Sequence, residues 1–424
     1  MKRLRRHYCN NANVLHHDHH ILRENGDSSR HQVSVGLIRM ANIQPLMNTA
    51  MAMFNLNDTP ASDNTQYHLC CYHANQVLIL RNRLETKLDT LLKRDGSNEA
   101  SIFDYAHITD AIKAYAHKTH HVFIVLATAV AEVGRDHDYD WAIVEPSSMR
   151  SIIQLAGRVW RHRPDKVASK PNISLMQYNI RALKQSNRGG AQPVFTMPGF
   201  EQPDFLLTSH DSHYVFRETE LQRIDATPRI NNVPENERDG ARYLSDLEHK
   251  VMKDLMSNDK TNVVNGYWQD PNTSNRSHVH LSCLTPFRTG QPQTEYIIEP
   301  TTFKSSLDND RAPNDIYEHN EDGQHYLVYN AEQARIQGLS ATESTTKVIK
   351  PSTTPLSNPN VTPWLNDSLV NALLEVQSTY DDLSPNTILT RFAVVSVYDN
   401  KLGWLFDERF GCWKDEGLIK DNYY

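Results

Sequence analysis

No run of the 424 residues approaches the ~18 consecutive apolar residues that a membrane helix needs, so no membrane association is expected. Nor is there a surplus of positive charge. The 44 Lys and Arg stand against 51 Asp and Glu, a formal net charge of −7. That excludes holding nucleic acid by bulk charge, though not in a locally basic groove. Cysteine is scarce: Cys9, Cys70, Cys71, Cys283 and Cys412 are odd in number and form no C-x-x-C pair. A disulfide framework and a four-cysteine zinc site are therefore unexpected, and a reducing cytoplasm fits best. The basic start, Met1-Lys2-Arg3-Leu4-Arg5-Arg6, leads into His7-Tyr8-Cys9-Asn10-Asn11 rather than an apolar stretch, so secretion is not expected. Internal repeats are absent.

At ~100–200 residues per domain, this length predicts two or three domains, each able to bury a core. Residues 1–30 are polar, rich in His and Asn and without periodicity, and read as an irregular leader. From Val33 the pattern changes. Residues 33–38, 67–72, 121–126 and 141–144 read as strands, the third a continuous apolar run suited to burial on both faces. Helices fall between them. One starts near Pro45 and carries Leu46, Met47, Ala50 and Phe54. Another has Val77, Leu80, Leu84, Leu88 and Leu91 at helical spacing. A third, capped by Ser147 or Ser148, runs through Ile152 and Leu155 to Val159. This alternation predicts an α/β fold with a parallel sheet flanked by helices. Beyond Pro164 short apolar islands sit among Pro, Asn and Arg. A helix is expected near 241–256, an acidic loop at 306–322 and a Ser/Thr/Pro-rich linker at 339–362. Order returns with a helix near 366–377 and a β-rich stretch at 392–398.

Two stretches carry chemistry. Thr128-Ala129-Val130-Ala131-Glu132-Val133-Gly134-Arg135-Asp136 follows the buried strand. It places a hydroxyl, a flexible glycine and a carboxylate at a strand's carboxyl end, where open α/β sheets bind ligands. Gln154-Leu155-Ala156-Gly157-Arg158-Val159-Trp160-Arg161 then offers two guanidinium groups three residues apart, expected on one helical face. Planar, permanently charged arginines suit the spread charge of a transferring phosphoryl group.

In order and interval these stretches resemble motifs V and VI of superfamily 2 helicases, and Leu69-Cys70-Cys71-Tyr72-His73 resembles motif IV. A longer match is more specific. It runs from Glu132 through Asp140-Trp141 and Glu145-Pro146-Ser147-Ser148 to Arg161-His162-Arg163-Pro164. With Val35-Gly36-Leu37-Ile38-Arg39, Pro198-Gly199-Phe200-Glu201 and Thr285-Pro286-Phe287-Arg288, it is similar to the CRISPR-associated helicase–nuclease of type I-F systems from about residue 31 onward. The resemblance implies residues 31–165 as a second RecA-like lobe, 166–240 as a linker or extended segment and 241–424 as an accessory, smaller mixed α+β C-terminal domain. Residues 1–30 are then a leader or a remnant of a first lobe. It implies Arg158 and Arg161 as arginine fingers, with Gly134 near the nucleotide, Asp136 meeting the nucleotide ribose or holding an arginine finger in place, and Gln154 near the nucleotide or the nucleic acid. Thr128, Arg39 and His73 are implied to lie along the path of a single DNA strand. ATP with Mg²⁺, single-stranded DNA, a crRNA-guided surveillance complex and the adaptation integrase are the implied cofactors and partners.

The departures matter equally. The chain has no G-x-x-x-x-G-K-[ST], indeed no Gly-Lys pair, so it lacks the loop whose backbone N–H groups cradle phosphates. The family's HD nuclease domain is not represented either. The chain is expected to be the C-terminal part of such a protein, inactive unless a separately encoded first lobe docks with it. A non-enzymatic DNA-binding or docking module is the alternative, and a fragment of an unrelated RNA helicase a weaker one. Several residues also have an ordinary reading: a solvated basic helix face for Arg158 and Arg161, a salt bridge for Asp136, a turn-capping hydroxyl for Thr128, a core or surface histidine for His73 and sheet packing for Trp160. The run His16-His17-Asp18-His19-His20 cannot by itself surround a metal, so no metal ligands are assigned.

Overall fold

The computed structural model describes residues 2–24, 30–55, 64–94, 98–132, 134–185, 192–231, 233–256, 292–304, 307, 326–339, 348–354, 356–398 and 403–416. In chain order the elements are α1 (Lys2–His19), β1 (Ile21–Glu24), β2 (Arg30–Arg39), α2 (Ile43–Phe54), β3 (Thr65–Tyr72), α3 (Leu78–Leu92), α4 (Ala106–Ala114), β4 (His120–Ala127) and β5 (Trp141–Val144). There follow α5 (Met149–Ala156), β6 (Ile173–Leu175), α6 (Ile180–Gln185), α7 (Ser212–Val215), α8 (Glu218–Gln222), α9 (Thr227–Ile230) and α10 (Leu244–Leu255). Last come β7 (Gln293–Pro300), β8 (Tyr326–Asn330), α11 (Ala331–Gln337), β9 (Ile349–Pro351), β10 (Val361–Pro363), α12 (Leu369–Thr379), α13 (Pro385–Phe392), β11 (Val394–Tyr398), β12 (Trp404–Asp407) and β13 (Gly411–Lys414). Among the described residues no helix is long and apolar enough to cross a membrane. The chain divides into two units. One comprises residues 1–142, 160–172 and 291–424, the other 143–159 and 173–290.

The first unit is built on a sheet ordered β10-β3-β4-β2-β5, with β1 antiparallel on the outer part of β2. The β10–β3, β3–β4 and β4–β2 pairs are parallel. Register sets Arg39 and Tyr72 both opposite Ala127, so three strands end at one level. The central place of β4 explains its unbroken apolar run: 122–127 has no exposed surface. α2 buries Leu46, Met47, Ala50 and Met53, and α3 buries Leu80, Leu84, Leu88 and Leu91, one face of each helix turned to the core. On β2, Gly36 leaves room for the buried Trp141 ring, which would lie 2.2 Å from a Cβ there.

Four expectations are corrected in this unit and its boundaries. The 1–30 segment is not irregular: α1 buries Tyr8, Cys9, Ala12 and Leu15, and β1 pairs with β2. Its apolar positions are so few that they do not reveal a helix without the sheet they pack on. The 339–362 linker instead contributes β9 to a sheet ordered β13-β12-β9, and β10 to the main sheet beside β3. Short strands of this kind gain their order from a partner rather than from periodicity. The third correction concerns 241–424, which is not one accessory domain. Residues 291–424 do form mixed α+β structure, with a further antiparallel sheet ordered β11-β7-β8. Their core of Ile297, Leu373, Leu389 and Trp404, however, is continuous with Val77, Ile79 and Leu80 at the start of α3.

Fourth, residues 166–240 are not a linker. In the second unit, β6 follows the end of β5 through a bond from Met176 N–H to Val144 O, and Phe195, Val215, Leu244 and Leu247 are buried. The Glu201 carboxylate accepts bonds from the N–H groups of Val194, Phe195 and Leu207 at 2.7–2.9 Å, so a single side chain organises the loop around Pro198-Gly199-Phe200. Such a segment looks like linker because side chains, not ladders, satisfy its backbone. Of the acidic loop at 306–322 only Leu307 is described. Cys283 and the 285–288 stretch lie outside the described residues.

Candidate functional site

The site is assembled on the loop that leaves β4. Thr128 ends the strand, its N–H bonded to Tyr72 O at 3.2 Å and its O accepting from Ala131 N–H, and the side chain makes no capping bond. Gly134 has φ +72°, the left-handed turn that glycine adopts without steric cost, and a Cβ there would meet nothing within 4 Å. From this turn the side chains alternate in destination. Arg135 pairs with Glu85 at 2.6 Å and Asp89 at 2.9 Å on α3, and His137 reaches Asp89 at 2.9 Å. Asp138 and Asp140 are fully buried against Arg163. Asp136 alone is presented outward, its side chain 57% exposed. It accepts from Arg161 Nε at 2.5 Å and from His162 Nε2 at 3.0 Å. The bonds from Arg161 first and His162 second pull its carboxyl down to about 2. Burial alone would raise Asp140, but the charges of Arg94 and Arg163 more than offset it and hold that carboxyl below its ordinary value.

The arginine stretch differs from the expected helical face. Ser148 does cap α5, accepting from Ser151 N–H at 3.0 Å, but the helix ends at Ala156 rather than near Val159. Gly157 is its C-cap, and Trp160 takes φ +53° so that its N–H bonds Tyr139 O at 3.1 Å. Arg158 and Arg161 therefore sit in successive turns, not on a helix. Trp160 is committed to protein contacts: the His19 ring lies edge-on at 5.5 Å and Lys166 Nζ is 4.5 Å from its centroid. Thr128, Gly134, Asp136 and Arg161 belong to the first unit, while Gln154 and Arg158, both half-buried, belong to the second.

Two residues expected along the path of a DNA strand lie inside the protein. Arg39 is 1% exposed and its Nε lies 2.6 Å from Glu132 Oε1, both side chains buried, so it is spent on an internal ion pair. His73 has no exposed surface. Its Nε2 donates to Phe410 O at 2.8 Å and its Nδ1 accepts from Asn75 N–H at 3.2 Å. Burial drives its pKa down to about 4 against the opposing pull of Phe410 O, so the ring is neutral and inaccessible. Residue spacing placed both at strand ends correctly but carries no information on what covers them. Arg163 and Arg94 were missed. The available signal was a pair of carboxylates, Asp138 and Asp140, directly before an apolar strand, where unpaired charge does not persist.

The donor set here provides one exposed guanidinium and one carboxylate, with no glycine-lysine phosphate cradle in the sequence. Among the described residues no three His, Cys, Asp or Glu side chains are grouped to hold a metal. His16, from the histidine run, is buried with Nδ1 2.7 Å from Ser34 Oγ and Nε2 3.3 Å from His120. Among the described residues, this loop and the arginine stretch do not by themselves fit ATP and Mg²⁺ as a self-sufficient site.

Residues 32–164 match the family described as CRISPR-associated nuclease/helicase Cas3, C-terminal. Residues 317–414 match CRISPR-associated Cas3 subtype I-F/YPEST-like, C-terminal domain. The chain is 42% identical over 291 residues to the CRISPR-associated nuclease/helicase Cas3 subtype I-F/YPEST of Pseudomonas aeruginosa, covering 68% of this chain and 25% of that protein. Its likeness to the protein of the same description from Pectobacterium atrosepticum is 40%, covering 67% and 25%. The chain thus spans a quarter of the length of the curated relatives it matches. Among solved structures, T. fusca Cas3-ADP matches with 14% identity and a TM-score of 0.29, covering 62% of this chain and 27% of that one. A CRISPR RNA-guided surveillance complex, pre-nicking, matches with 16% identity and a TM-score of 0.23, covering 38% and 16%. Neither carries weight at that level. The two family matches and the two relatives together place this chain in the CRISPR-associated nuclease/helicase Cas3 family of subtype I-F/YPEST, as a C-terminal part.

Proposed function

We propose that this chain supplies the second RecA-like lobe and C-terminal region of an ATP-dependent DNA helicase–nuclease of CRISPR type I-F interference, working in the cytoplasm. The Asp136–Arg161 pair at the end of the central strand carries the reading: an exposed guanidinium held in a fixed direction by a carboxylate. In this reading the nucleotide and Mg²⁺ are held by a first lobe, and lobe closure delivers Arg161 and Arg158 to the γ-phosphoryl group. Gly134 and Asp136 line the nucleotide side, Gln154 lies near the nucleotide or the DNA, and Thr128 touches the backbone of a single DNA strand. The crRNA-guided surveillance complex and the adaptation integrase are the proposed protein partners.

ATP hydrolysis by the purified 424-residue chain, with and without single-stranded DNA, tests this. The expected result is no turnover in either condition. Adding the phosphate-loop half of a subtype I-F relative should then give DNA-stimulated turnover that falls by roughly 10³ or more with Arg161→Ala. Turnover by the chain alone, or a restored activity indifferent to Arg161→Ala, overturns the half-cleft reading and favours a docking module.

A further inference from the structure

We infer that Arg163 is the positioning residue for Arg161, setting the direction of the exposed guanidinium from inside the protein. The inference rests on the proposed role of Arg161, since positioning matters only if that group is delivered to a ligand. The geometry is a ladder between two segments. Asp136 and Arg161 form its exposed rung, and Asp138 and Arg163, each two residues further on, form a buried one. Two backbone donors also join the segments: His162 N–H donates to Asp138 Oδ2 at 3.2 Å and Trp160 N–H to Tyr139 O at 3.1 Å.

The buried rung fixes register because the guanidinium has no spare donor. Its Nε and Nη2 donate to Asp138 at 3.1 and 2.5 Å, and Nη2 also to Tyr139 O at 3.0 Å. Its Nη1 donates to Asp140 at 2.9 Å and Glu99 at 3.3 Å. All five N–H donors of the guanidinium are committed. Asp140 is in turn tied to Arg94 Nη1 at 2.7 Å and Val35 N–H at 2.7 Å, anchoring the ladder to β2. Slipping either segment would strand buried charge, so the outer rung inherits its alignment. A lysine keeps the charge but offers three donors and no fork.

The test reads the Arg161 Nε–Hε resonance in the full chain labelled with ¹⁵N-arginine and free of nucleotide, assigned by its loss in Arg161→Lys. In the wild type this proton is protected by Asp136. Arg163→Lys, and separately Asp138→Asn, should speed its solvent exchange by about tenfold or more while far-UV circular dichroism stays native. Glu99→Gln, at the rim of the network, should leave the rate within about twofold. Unchanged exchange in a folded Arg163→Lys or Asp138→Asn chain overturns the inference. So does unfolding of both variants, which would make the network purely structural. No nucleotide is present, so the result is independent of whether the chain takes part in ATP hydrolysis.

Discussion

His73, which the sequence left as either a DNA contact or a core or surface histidine, is enclosed in the structure. Placed after strand β3, it is enclosed by Phe410 O and Asn75 N–H and stays neutral because water cannot reach a charged ring. His16, buried on α1, is likewise pushed down to about 3 by burial, then by His120 and His20. The linkage sign follows from proton counting. An unfolded histidine titrates near 6.5, the folded His73 near 4, so between those values the unfolded chain binds more protons. Stability is fully present above pH 6.5 and is lost as the pH falls through about 4. For His73 alone the loss is roughly 3 kcal/mol at about 1.4 kcal/mol per unit. Urea unfolding at pH 7.5 and 5.0 should show the acid loss, and His73→Gln should flatten the difference. An unaltered pH slope in His73→Gln would assign the effect to other groups.

Elements show the same dependence on neighbours. β2 and β5 read as strands from their apolar pattern alone, yet their association needs Gly36, over which the Trp141 ring lies while its Nε1 donates to Ser34 Oγ at 3.0 Å. A methyl group at Gly36 would sit 2.2 Å from that ring, and with Trp141 fully buried neither side has room to yield. Gly36→Ala should cost about 1–3 kcal/mol or more, seen as a lowered melting temperature. Trp141→Phe, which removes the clashing ring atoms, should make the added cost of Gly36→Ala smaller; strictly additive losses would refute the clash. At α5 periodicity carried the expected helix to Val159, but Gly157 and the Trp160 turn end it earlier, because a bond to Tyr139 O outweighs the next helical turn.

On the scale of the whole molecule, sequence order and spatial order part company. Residues 291–424 belong with the first unit, sharing its core through Val77, Ile79 and Leu80, and Phe410 packs 5.0 Å from Phe54. A chain ended after residue 290 should therefore lose cooperative unfolding of the first unit and become protease-sensitive in α3. The isolated 291–424 piece should not fold. Calorimetry and limited proteolysis of the two pieces decide it: two sharp, independent transitions would restore an autonomous C-terminal domain.

The sequence by itself determined the central strands, the amphipathic helices α2, α3, α10 and α12, and the position of the Thr128–Asp136 stretch at the end of β4. Periodicity and charge are local properties, and these segments satisfy them locally. The lack of a Gly-Lys pair was equally plain, since it needs no fold to be seen. Only tertiary structure decided that α1 and β10 are ordered parts of the first unit, that Arg39 and His73 are enclosed, and that Asp136 is singled out for Arg161 while its neighbours turn inward. The physical reason is burial: whether an ionisable side chain meets water or a partner depends on residues far away in the chain.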